Sequence, residues 1–151
     1  GAVGNATLVK NIRSGSAGSD PQELVEVNGV VYFSADDGTN GRELWRTVGD
    51  SGTTTRVADI FPGSGSSEPE DLTAFGDAVV FVAQPDSIDR ELWISDGTEG
   101  GTRQIADIRE GASGSFPEEI AVVDGRIYFS AIGGAFGVDD GRELWVSDGT
   151  E

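Results

Sequence analysis

The sequence has no cysteine and no histidine, and only one of its ten basic residues, Lys10, is a lysine. The first absence removes disulfides, thiolate metal sites and cysteine nucleophiles. The second removes any serine–histidine hydrolase. The ten basic residues face 27 acidic ones, a formal charge of −17, which argues against nucleic acid and anionic membrane surfaces as partners. Cations and basic surfaces are favoured instead. No apolar run approaches the roughly 18 residues of a membrane-spanning helix, no phosphate-binding loop is present, and Gly1-Ala2-Val3-Gly4 is not a signal peptide. The expectation is a chain without membrane insertion, with a solvated, salt-tolerant acidic surface.

What the 151 residues do contain is a repeat. Arg42-Glu43-Leu44-Trp45 returns as Arg90-Glu91-Leu92-Trp93 and Arg142-Glu143-Leu144-Trp145. Asn11-Ile12, Asp59-Ile60 and Asp107-Ile108 keep a step of 48, as do Pro21, Pro69 and Pro117. A fixed period of this length marks stacked supersecondary units that bury a core only together. The repeat periods are 4–51, 52–99 and 100–151. The third is longer by four residues, the excess lying in Ile132–Asp140.

Each unit offers four short runs of strand-like text and no helix-period segment. The first runs are Glu23–Val27, Asp71–Phe75 and Glu119–Val123; the second are Val30–Ala35, Ala78–Ala83 and Arg126–Ala131. Asn28-Gly29, Gly76-Asp77 and Asp124-Gly125 stand between them, the pairs that two-residue hairpins require. The third runs are Glu43–Thr47, Glu91–Ser95 and Glu143–Ser147, and the fourth are Thr55–Ile60 and Arg103–Ile108, with Thr7–Ile12 as the copy at the start of the chain. Val79-Val80-Phe81-Val82-Ala83 is apolar throughout, as in a strand whose sheet is covered on both faces. Eight-residue Gly/Ser-rich stretches, Ser14–Pro21, Pro62–Pro69 and Glu110–Pro117, follow the fourth runs. Returning from the outer to the inner edge of a four-stranded sheet spans roughly 14 Å, and eight residues reach about 26 Å. Tight turns within units and one long return between them are the wiring of a β-propeller blade. The expected fold is therefore all-β, a propeller of four-stranded antiparallel blades in a single array of three repeats. Strand 7–12 completes the blade begun by 117–147, in the same or another chain.

The segments Glu91–Thr102 (ELWISDGTEGGT) and Glu143–Glu151 (ELWVSDGTE) resemble the bacterial repeat family named for its ELWxxDGT signature, and the likeness covers essentially the whole chain. The first unit departs from it, with Val48-Gly49-Asp50 where Asp-Gly-Thr is expected. The resemblance implies propeller-like repeats of large secreted or surface-attached proteins, with no established activity; the strand order also resembles Kelch repeats. An extracellular or cell-surface location follows from it.

Among candidate sites, Trp45, Trp93 and Trp145 are either inter-blade packing or stacking platforms for sugar rings, and Phe136 in the inserted loop joins them as a ligand candidate. The Arg-Glu pairs point to opposite faces of their strands, with Glu23, Asp71 and Glu119 as expected partners of the arginines. Asp36, Asp37, Asp139 and Asp140 are weak calcium candidates, because carboxylate-rich turns suit that ion but no EF-hand spacing occurs. No other cofactor is implied. The leading function is a non-enzymatic structural, adhesive or protein-interaction module; the alternative is a carbohydrate-binding propeller with glycan sites between blades. Three blades do not readily close a ring, since propellers have about four to eight, so self-association is expected as a homodimer forming a six-bladed ring. The competing expectation is that further blades of a longer chain follow.

Overall fold

The computed structural model describes residues 4–109, 114–134 and 141–150. The described residues form eleven strands in three antiparallel sheets, with no helix. Sheet 1 contains β1 (Gln22–Val27), β2 (Val30–Asp36), β3 (Arg42–Thr47) and β4 (Thr55–Arg56) in that order. Sheet 2 repeats it with β5 (Glu70–Phe75), β6 (Ala78–Ala83), β7 (Glu91–Ser95) and β8 (Arg103–Ala106). Sheet 3 has β9 (Glu118–Val123), β10 (Arg126–Ile132) and β11 (Arg142–Ser147).

The hairpins form where the sequence places them. Asn28 and Gly29 take φ of 50° and 84°, and Asp124 and Gly125 take 50° and 70°, the both-positive pattern of a type I′ turn. In the second unit the order is reversed and only Gly76, at φ 57°, is positive. The departure in the first unit is repaired locally: Asp50 accepts the N–H groups of Gly52 (2.8 Å) and Thr53 (2.9 Å), so the chain still turns from β3 into β4.

Fourth strands are shorter than their text. The ladder to β3 covers Thr55–Arg56, and one further bond runs from Val57 N–H to Leu44 C=O, 2.8 Å. Val57, Ala58 and Ile60 then sink into the space between sheets, where burial outweighs continued pairing. Thr7–Ile12 forms no ladder in the chain. It lies on the outer face of sheet 1, where Ile12 packs against Phe33, Ala35 and Trp45 and Lys10 donates to the Thr54 carbonyl at 2.6 Å.

The sheets stack through alternating side chains. Tyr32 and Leu44 of sheet 1 share a core with Val79, Phe81 and Ala83 of sheet 2. Val80 and Leu92, on the other face of sheet 2, share a second core with Ile127, Phe129 and Ala131 of sheet 3. Sheet 2 is thus covered on both sides, as its unbroken apolar strand requires. The first strands β1, β5 and β9 lie side by side.

Each first strand carries a bulge at the same place, between Gln22 and Val25, Glu70 and Thr73, and opposite Tyr128–Ser130. Glu23, Asp71 and Glu119 take φ of 58°, 54° and 58° there, a left-handed conformation held by side chains other than glycine. The bulge brings each acid to its neighbour. Asp71 N–H donates to the Glu23 carboxylate at 3.0 Å, and Glu119 N–H to the Asp71 carboxylate at 3.2 Å.

Candidate functional site

Glu43 and Glu91 are the most distinctive polar groups in the molecule. Both are fully buried, each beside a fully buried leucine, Leu44 or Leu92. Glu43 accepts the N–H groups of Ile60 (3.1 Å), Phe61 (3.2 Å) and Ser67 (3.3 Å), and the Ser67 hydroxyl at 2.6 Å. Glu91 accepts the Ser115 N–H at 2.6 Å and the Ser115 hydroxyl at 2.5 Å. Ser67 and Ser115 lie in the long returns, so each glutamate clamps the third strand of one sheet to the entry of the next. Burial pushes both carboxyls up to about 7, against the serine and backbone donors that pull the other way. For Glu91 the nearby Asp89 and Asp107 charges add to the rise.

The arginines work in the opposite direction along the chain. Arg42 meets Asp20 at 3.2 Å, Arg90 meets Glu70 at 2.5 Å and Arg142 meets Glu118 at 3.3 Å, each at the entry of its own sheet, and Arg42 also reaches Glu68 of the return to sheet 2 at 3.7 Å. The expected partners Glu23, Asp71 and Glu119 do not stand against the arginines: the Glu23 and Asp71 carboxylates each accept from the next first strand, and Glu119 joins through its backbone N–H. Exposed pairs of this kind are worth about 0.2–1 kcal/mol each.

The tryptophans occupy one position of three strands, opposite Phe33, Phe81 and Phe129 respectively. Trp45 is 7 % exposed within its cluster, and Trp93 packs against the core between sheets 1 and 2. Trp145 is 36 % exposed and donates its indole N–H to the Ala131 carbonyl at 3.1 Å. The three are not gathered into one site. Of the calcium candidates, Asp37 takes the N–H groups of Thr39 and Asn40, both at 2.8 Å, and the Asn40 side-chain amide at 2.7 Å. Burial works to raise its carboxyl and these donors outweigh it, leaving it below the ordinary value. Asp36 accepts the Gly38 N–H at 2.6 Å and pairs with Arg13. Phe136, Asp139 and Asp140 lie outside the described residues.

No family model, curated protein or solved structure matches the chain. Function therefore has to be read from the site itself. In the signature turns, the Thr98 hydroxyl (2.6 Å) and N–H (2.8 Å) both donate to Asp96, and Thr150 does the same to Asp148 at 2.6 Å and 3.0 Å. These donors hold both carboxyls below their ordinary value.

Sequence reasoning singled out the Glu of each Arg-Glu pair and missed its serine partner. The signal was present: Ser19, Ser67 and Ser115 keep the 48-residue step. An apolar groove lined by Leu8, Val9, Ile12, Leu24, Val31 and Phe33, between the N-terminal segment and sheet 1, was also not anticipated.

Proposed function

We propose that the chain is a non-enzymatic β-propeller repeat module of the ELWxxDGT kind, its three sheets acting as blades. Its role is structural, adhesive or protein-interacting, at the cell surface or outside the cell. The observation that carries this reading is the pair of clamps Glu43–Ser67 and Glu91–Ser115, which spend the signature carboxylate on joining one sheet to the next. The meander order within each four-stranded sheet, the long returns and the adjacent first strands support radial blades.

A carboxyl near 7 suits general acid–base catalysis. Here it is sealed between sheets and occupied by serine and backbone donors, a joint rather than a reaction centre. The sugar-binding alternative draws little on the tryptophans, since Trp45 and Trp93 are committed to packing. Electron microscopy of the assembled protein should show blades arranged about a central axis; flat stacked sheets without one would overturn the reading. On a glycan array the protein should retain no sugar, and a glycan bound by the native chain but lost on Trp145→Ala would replace it with the lectin alternative.

A further inference from the structure

The three copies of the signature strand have different fates. Leu44 and Leu92 are 0 % exposed, whereas Leu144 is 76 % exposed, with Val146 beside it also uncovered. β3 and β7 each have a fourth strand on their outer edge; among the described residues β11 pairs only with β10. Glu143 is exposed where Glu43 and Glu91 are clamped. Sheet 3 thus presents an unfilled copy of the contact that the other two sheets make.

The missing half of that contact is present at the opposite end of the molecule. Thr7–Ile12 carries the text of the fourth strands, and Ile12 already packs on sheet 1 in the position that Ile60 takes between sheets 1 and 2. Ser19 is likewise in place: its carbonyl accepts the Asp36 N–H at 3.0 Å, as the Ser67 carbonyl accepts Gln84 N–H at 3.0 Å and the Ser115 carbonyl accepts Ile132 N–H at 2.8 Å. The groove beside the segment is lined by half-buried Val31 and by Phe33, which is itself buried under Ile12; they are the counterparts of Val79 and Phe81, which in sheet 2 receive Tyr32 and Leu44 from sheet 1. It is an empty seat for a residue such as Leu144.

From this complementarity we infer that two copies of the chain close on each other through a third clamp. The partner's Ile12, Arg13 and Ser19 donate to Glu143, as Ile60, Phe61 and Ser67 do to Glu43. The partner's Thr7–Ile12 adds to β11 in the register of the existing sheets. Trp45 pairs with Arg56 and Arg46 with Thr55, and Trp93 pairs with Gln104 and Ile94 with Arg103; the same offset sets Trp145 against the partner's Leu8 and Val146 against the partner's Thr7. Leu144 then fills the groove. The arrangement is reciprocal, so a two-fold pair satisfies both edges and closes six blades. The inference rests on the propeller reading.

The absence of cysteine makes the register directly readable. The chain carrying Thr7→Cys mixed with the chain carrying Val146→Cys should form a cross-linked heterodimer on oxidation, because directly paired strand positions lie within disulfide reach. Light scattering on the native chain should give twice the chain mass. Glu143→Gln and Ser19→Ala should each weaken the dimer about tenfold to a hundredfold, with the unfolding midpoint of the dissociated chain unchanged, since Glu143 is exposed there. A folded monomer at every concentration, a polymer that lengthens with concentration, or a dimer insensitive to both variants and without the cross-link overturns the inference. A folded monomer whose stability still depends on Glu43 would leave the module reading standing while this one falls.

Discussion

At the residue scale, Glu43 and Glu91 give stability an unusual dependence on pH. Their carboxyls titrate near 7 in the folded chain and near their ordinary 4.5 when unfolded, so the folded state binds more protons between those values. The stabilisation is complete below about 4.5 and lost as pH rises to about 7, at most about 3 kcal/mol per group. Asp96 and Asp148, held low by their threonines, act in the reverse sense and withdraw stability as pH falls through the acid range. Urea unfolding should therefore show greatest stability near pH 5, with a decline toward pH 8. Glu43→Ala should cost about 2–4 kcal/mol by orphaning buried N–H groups and should remove about half of that decline. An unchanged slope would assign it to other groups. The burial of Glu43 was legible only as a repeated polar residue beside Leu44. Its partner lies in a Gly/Ser-rich stretch, where serine reads as solvent-exposed loop.

At the scale of the element, identical text in different surroundings gives unequal energetics. Leu44→Ala or Leu92→Ala should cost about 3–5 kcal/mol, as for a fully buried leucine that leaves a cavity; Leu144→Ala in the dissociated chain should fall within about 0.5 kcal/mol of the native value. Equal losses at all three positions, measured by urea unfolding, would mean that sheet 3 is covered within one chain. Gly41→Ala should also destabilise by more than about 1 kcal/mol. Its φ is +71°, and an added Cβ would fall on the Gly65 carbonyl of the return to sheet 2. First, second and third strands were legible from their turn pairs and apolar runs to within a residue at each end. The fourth strands and the bulges were not. Residues 57–60 leave the ladder to serve the inter-sheet core and the Glu43 clamp, a tertiary demand that strand text does not encode. The bulges put positive φ on Glu23, Asp71 and Glu119, residue types that give no such signal.

For the molecule as a whole, a charge of −17 sets compactness against self-repulsion. Raising salt from about 0.1 M, where the screening length is about 10 Å, toward 1 M, where it is about 3 Å, should raise the unfolding midpoint. A fall would show that surface pairs such as Arg42–Asp20 outweigh the repulsion. The repeat period, the all-β class and the long returns were readable from spacing alone, because each is a property of the chain's own order.

The bond from Asp71 to Glu23 and that from Glu119 to Asp71 are one joint used twice, displaced by one period. A chain built this way has a grammar rather than a plan. Duplicating or deleting a whole unit would introduce no new kind of joint between first strands.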